Sequence, residues 1–121
     1  SYVSVEKGYY HHGTFADLLD RAPKNGGPGF YRWATTKHRG KPIMIAEWGG
    51  YHRVGKKTDK SAVYHSVLPE LAKRPAIKAL VHFDTKADDQ GNRDISINST
   101  PASLAAFRKL AANPIFNVKL G

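Results

Sequence analysis

The chain has 121 residues, of which 40% are hydrophobic, and carries a net charge of +9. That suits one compact domain spanning residues 1–121, and a whole eight-stranded (β/α) barrel, which takes about 250 residues, is excluded. Cysteine is absent, so disulfides and thiolate metal sites are excluded too, and no apolar run reaches membrane-spanning length. The surplus of Lys and Arg suits contact with nucleic acid, anionic glycans or cell-wall polymers. The basic residues are scattered, however, and no nucleic-acid motif frames them, so a solvated basic surface is the expectation.

Tyr2, Val3 and Val5 alternate with polar neighbours and predict a short strand ending near Tyr9. Phe15, Leu18 and Leu19 suggest one or two helical turns. Asn25-Gly26-Gly27-Pro28-Gly29 breaks the chain. Phe30, Trp33, Ala34 and Lys37 follow helical spacing, with Gly40 placed to end that helix.

Pro42 to Glu47 is a continuous apolar run closed by a carboxylate, typical of a strand buried on both faces. Gly49-Gly50 is expected to end it, and a basic loop to about Thr58 follows. Asp59 is placed to cap a helix running to about Lys73, with Val63, Val67, Leu68 and Leu71 as its apolar stripe. Ile77 to Phe83 predicts a second buried strand, and Asp84 to Asn98 a polar loop. Thr100-Pro101 is a strong helix start, Leu104, Phe107, Leu110 and Ala111 line that helix, and Asn113-Pro114 ends it. Strands alternating with amphipathic helices imply an α/β fold of parallel βα units.

Glu47 is the sharpest chemical feature. In parallel α/β folds the C-terminal strand ends form the active site, and Glu47 falls at such an end. Other constellations are weaker. His11, His12 and His52 lack metal-ligand spacing. Asp84, Asp88, Asp89 and Asn92 lack the EF-hand pattern and read as a solvated loop. The glycines at 26, 27 and 29 have no preceding strand and no Lys-Ser/Thr, so they do not form a phosphate loop.

Lys41-Pro42-Ile43-Met44-Ile45-Ala46-Glu47-Trp48-Gly49 resembles the strand-seven nucleophile motif of clan A glycoside hydrolases. Arg74 to Asp84 is similar to the helix end and strand eight of family 26, which is mostly β-mannanases and related endo-glycanases. Arg93 to Ser99 resembles that family's loop before the last helix, Ala102 to Phe116 its last helix, and Ser1 to Tyr10 its strand six. The resemblance implies the C-terminal part, about strands six to eight, of a TIM (β/α)8 barrel. It implies a secreted retaining glycosidase acting on β-linked polysaccharide of mannan or glucan type, with no cofactor and no metal.

Carried over by residue, the resemblance makes Glu47 the nucleophile and Tyr9 its hydrogen-bonding tyrosine, with Tyr10 as the neighbour in the other register. Trp48 and Phe83 become aromatic faces for sugar rings, against core packing as the alternative for each. The family's acidic residue before Gly-Tyr is Lys7 here, its strand-eight Trp is Phe83, and the loop from Tyr51 to Lys57 is more basic. A retaining pair needs its carboxyls about 5–5.5 Å apart, and the family's acid/base Glu lies on strand four, upstream of this segment. Glu6 and Glu70 are poor substitutes. The isolated chain is therefore expected to be inactive and to associate with the missing half-barrel or with a second copy. The alternative reading is a non-catalytic module, binding glycan or serving as a basic interaction domain. Neither nucleic acid nor membrane is an expected partner.

Overall fold

The structure is a computed structural model that describes residues 1–9 and 11–119; Tyr10 therefore lies outside the described residues. Three strands, β1 (Tyr2–Ser4), β2 (Ile43–Arg53) and β3 (Ile77–His82), lie side by side in chain order. β1 and β3 both run parallel to β2. A two-residue strand β4 (Arg93–Asp94) pairs antiparallel with the end of β2, His52 opposite Asp94 and Arg53 opposite Arg93. Helices α1 (Phe15–Asp20), α2 (Phe30–Lys37), α3 (Ser61–Ala72) and α4 (Pro101–Ala111) complete the fold. The expected α/β class with parallel βα units is thus present.

One face of the sheet is covered. Val3, Ile45 and Trp48 from the strands meet Phe15, Leu19, Val63, Tyr64, Val67, Ala106 and Leu110 from α1, α3 and α4 in a single core. Strand alternation sends neighbouring residues to the opposite face. There Met44 is 58%, Val81 47% and Phe83 39% exposed, so that face is apolar and bare.

Local chemistry explains the boundaries. Thr100 Oγ1 accepts from Ser103 N at 3.0 Å and Pro101 opens α4, as the Thr-Pro pair predicts. Gly29 permits the turn into α2, because a Cβ there would lie 2.3 Å from the Asp20 carbonyl oxygen. Asp59 does not itself cap α3, whose cap position is Lys60. Its carboxylate instead accepts from Ser61 N at 2.9 Å and Ser61 Oγ at 2.7 Å. Ser103 Oγ reaches it at 3.2 Å, which ties the starts of α3 and α4 together.

Three expected boundaries move. β1 stops at Ser4 rather than near Tyr9, because the chain turns at Glu6 to Gly8 and returns to bridge His12 to Ser4. Gly49-Gly50 lies within β2 instead of ending it, since both glycines pair with β1. The missing side chain of Gly49 makes room for a neighbour: a Cβ there would sit 2.4 Å from Ile95 Cγ2, whereas one on Gly50 would meet Val63 at an ordinary 3.5 Å. The loop after β3 contains β4, which closes on β2 through Asp88 and Asn92.

Candidate functional site

β2 has a break in its pairing. Ile43 pairs with Ile77, the register shifts once before Met44 and Ile45 pair with Ala79 and Leu80, and it shifts again between Ile45 and Trp48, which pairs with His82. Glu47 lies in that break and is exposed. The next residues turn to β1, with Tyr2 opposite Gly49, and the ladder extends to Ser1, whose nitrogen donates to the Glu47 carbonyl at 2.9 Å.

Tyr2 is the residue that meets Glu47. Its hydroxyl donates to Glu47 Oε1 in a short hydrogen bond. Burial, and then that hydrogen bond, push the Tyr2 hydroxyl well above the ordinary phenol range, so it stays a donor at any neutral pH. The Phe83 ring lies 6.3 Å from that of Tyr2, tilted by 52°. Tyr2, Glu47 and Phe83 thus meet on the bare sheet face midway along β2, at the start of β1 and just past the end of β3, so Glu47 does not stand at its own strand's end as expected.

The contact expected of Tyr9 is therefore made by Tyr2. Tyr9 lies beyond the end of β1 and receives the Arg53 guanidinium over its ring at 5.1 Å. Trp48 is 2% exposed and stands on the opposite side of the sheet. Its ring contacts Phe15 at 5.1 Å, His82 at 5.1 Å and Tyr64 at 6.2 Å, all edge-on. Trp48 is a core residue with no face open to a sugar. Phe83 keeps an open face.

Beneath the site His82 is enclosed by Trp48, Tyr64 and Phe107. Burial lowers its imidazole to about 4, so the ring is neutral at pH 7. Its Nε2 lies 3.4 Å from the Tyr64 hydroxyl, and its Nδ1 has no hydrogen-bond partner among the described residues.

The short β2–β4 pair divides the charges at the rim by side. On the inner side Lys60, 0% exposed, directs Nζ to Asp94 Oδ1 at 3.2 Å and to the Ser96 carbonyl at 2.7 Å. Burial outweighs the carboxylate's pull and lowers the Lys60 ammonium. Asp94 is also lowered, its bonds from Ser96 and Lys60 together overriding the opposing effect of burial. His52, equally buried, holds Nε2 3.9 Å from Asp94 Oδ2. On the outer side Glu6 binds Arg53 through its backbone nitrogen at 2.9 Å and its guanidinium at 3.1 Å. Arg93 lies over the Tyr51 ring at 4.8 Å.

Among the described residues no second carboxylate stands ready beside Glu47. Glu6 is engaged by Arg53, and Glu70 by Arg74 and by Lys73 at 3.5 Å. Asp84 accepts from Ile97 N at 3.0 Å. Among the described residues no group of three or more His, Cys, Asp or Glu side chains converges to hold a metal ion, and no helix is long and apolar enough to cross a membrane.

Two features were missed in the sequence. Tyr2 had a usable signal: if Val3 points to the core, alternation sends Tyr2 to the face that carries Glu47. Lys60 had none, because nothing local marks a lysine for burial against a residue 34 positions away.

The fold and site define a one-sided parallel α/β unit with a carboxylate and a tyrosine paired on its uncovered face. Comparison with known family models, with characterised proteins and with solved structures returns no match.

Proposed function

We propose that the chain is the C-terminal part of a retaining β-glycosidase barrel acting on β-linked polysaccharide, with Glu47 as nucleophile. The observation that carries this reading is the Tyr2–Glu47 hydrogen bond on the uncovered face of the central parallel strand, level with the C-terminal end of β3. A donor on Oε1 fixes the carboxylate and leaves Oε2 to attack. In that mechanism Oε2 bonds to the anomeric carbon as the leaving-group oxygen departs with a proton from an acid elsewhere in the barrel. Water then cleaves the glycosyl ester. Phe83 offers a ring face beside the reacting sugar.

Topology supports a barrel. Strands in chain order with α1, α3 and α4 packed against one side are the arrangement of a (β/α) barrel wall, whereas doubly wound sheets carry helices on both faces. The N-terminal part of β2 pairs only with β3. A cavity of about 230 Å³, lined by Leu18, Phe30, Met44 and Ala46 among others, lies beside it and suits further barrel elements.

Glu47→Ala should abolish hydrolysis of an aryl β-glycoside by the protein that carries this segment. Azide should restore it and yield the α-glycosyl azide. Restored turnover without azide adduct, or no loss in the variant, would rule out Glu47 as nucleophile. The non-catalytic reading is favoured by one observation, the lack of a second available carboxylate among the described residues. Salt-sensitive glycan binding that Glu47→Gln leaves unchanged, with no hydrolysis by the whole protein, would establish it.

A further inference from the structure

The rim holds an arrangement that folding alone disfavours. Arg53 and Arg93 face each other directly across the β2–β4 pair, and like charges in that position repel. Arg53 is neutralised by Glu6, which contacts both its backbone and its guanidinium. Arg93 has no carboxylate at ion-pair distance among the described residues. Asp88 is the nearest candidate, but its Oδ1 is taken by the backbone nitrogens of Asn92 at 3.0 Å and Arg93 at 3.1 Å. The Asp88 nitrogen in turn donates to the Arg93 carbonyl at 2.9 Å.

Arg93 is therefore pinned at both backbone groups and stacked on a buried tyrosine, with its fork of donors uncommitted. Its charge is felt at the Tyr2 hydroxyl and at His11, where Arg21 and Lys24 act as well. The cationic rim thus adjoins the Tyr2–Glu47 pair. A guanidinium held over an aromatic ring is suited to a planar or tetrahedral oxyanion.

We propose that Arg93 binds an anionic substituent, a carboxylate or a sulfate ester, on a sugar of an acidic polysaccharide lying against Glu47. This rests on the glycosidase reading of Glu47 for where the sugar lies. The Tyr51 stack holds the guanidinium ready before the ligand arrives, so little side-chain freedom is lost on binding.

Calorimetric titration of the full chain tests it, with a β-linked uronic acid trimer, its neutral counterpart and a sulfated counterpart as probes. A charge-assisted hydrogen bond contributes about 1.5–3 kcal/mol, so the preferred anionic trimer should bind at least roughly tenfold more tightly than the neutral one. Arg93→Gln should erase that preference and Arg93→Lys should keep part of it. Preference for the uronate assigns a carboxylate, and preference for the sulfated trimer assigns a sulfate ester. Equal affinity for neutral and charged trimers, or a preference that survives Arg93→Gln, overturns the proposal. Failed azide rescue with the charge preference intact would sink only the nucleophile assignment. Successful rescue without a charge preference would sink only the anionic substrate.

Discussion

Lys60 buries its ammonium completely and spends it on Asp94, across the 34 residues that separate the start of α3 from β4. Removing one partner of a buried pair strands the other charge, at about 3–5 kcal/mol. Asp94→Ala should therefore lower the unfolding free energy by about that amount in urea denaturation. The double variant Lys60→Met, Asp94→Ala should recover more than half of the loss. The sign with pH follows from the lowered Lys60 ammonium. The folded state resists this proton, so the cost is fully present at neutral pH and lessens as alkaline pH removes it. Asp94→Ala should thus lose less stability at pH 10 than at pH 7. Equal losses at both would place the effect in packing.

Tyr2 should be the last tyrosine of the chain's site to ionise, because burial and Glu47 both oppose its phenolate. Ultraviolet titration of wild type and Glu47→Gln checks this: the variant should shift one tyrosine back toward the ordinary range. Under the proposed glycosidase reading, Tyr2→Phe should reduce kcat roughly ten- to hundredfold with KM little changed, the range for losing a hydrogen bond to a charged group. A variant that changes KM alone would make Tyr2 a substrate contact instead.

His82 should make the fold acid-sensitive. Its imidazole falls from 6.5 to about 4 on folding, so between those values the unfolded chain holds the extra proton. The stability is fully present above pH 6.5 and is lost as pH falls toward 4. The shift corresponds to about 3 kcal/mol. Denaturation between pH 7 and 4 should show this decline, and His82→Phe should flatten it. An unchanged slope in that variant would assign the decline to other groups.

The adjacent glycines of β2 should respond differently to substitution. Gly49→Ala drives a methyl to within 2.4 Å of Ile95 Cγ2 and should cost about 1–3 kcal/mol, the range for overpacking. Gly50→Ala meets Val63 only at ordinary contact distance, 3.5 Å, and should be nearly neutral. Thermal melts of the two variants check the contrast, and equal melting temperatures would contradict it.

The order of strands and helices was readable because it rests on local signals. The apolar run from Ile43, the Thr100-Pro101 start and the stripe containing Val63 and Val67 each declare themselves within a few residues. That Glu47 belongs to a strand was readable for the same reason, but its expected place at the strand's end was not, because β2 continues to Arg53 through glycines that pair with β1. Trp48 was not, because a residue beside a break in register goes to the face that the break selects, and that break depends on β3. Tyr9 was misplaced because β1 ends where the chain turns back to pair His12 with Ser4, a contact that no alternation pattern announces. Arg93 and Lys60 draw their environments from distant segments, so their surroundings emerge only once the sheet is assembled.

The pairing break in β2 separates two kinds of inheritance. Ile45 and Trp48, on either side, are locked into the core, whereas Ala46 and Glu47 between them are exposed. Mutation can therefore explore these two positions while the helices and strands stay in place. A lineage carrying this segment is free to change the residues at 46 and 47 without first passing through an unfolded ancestor.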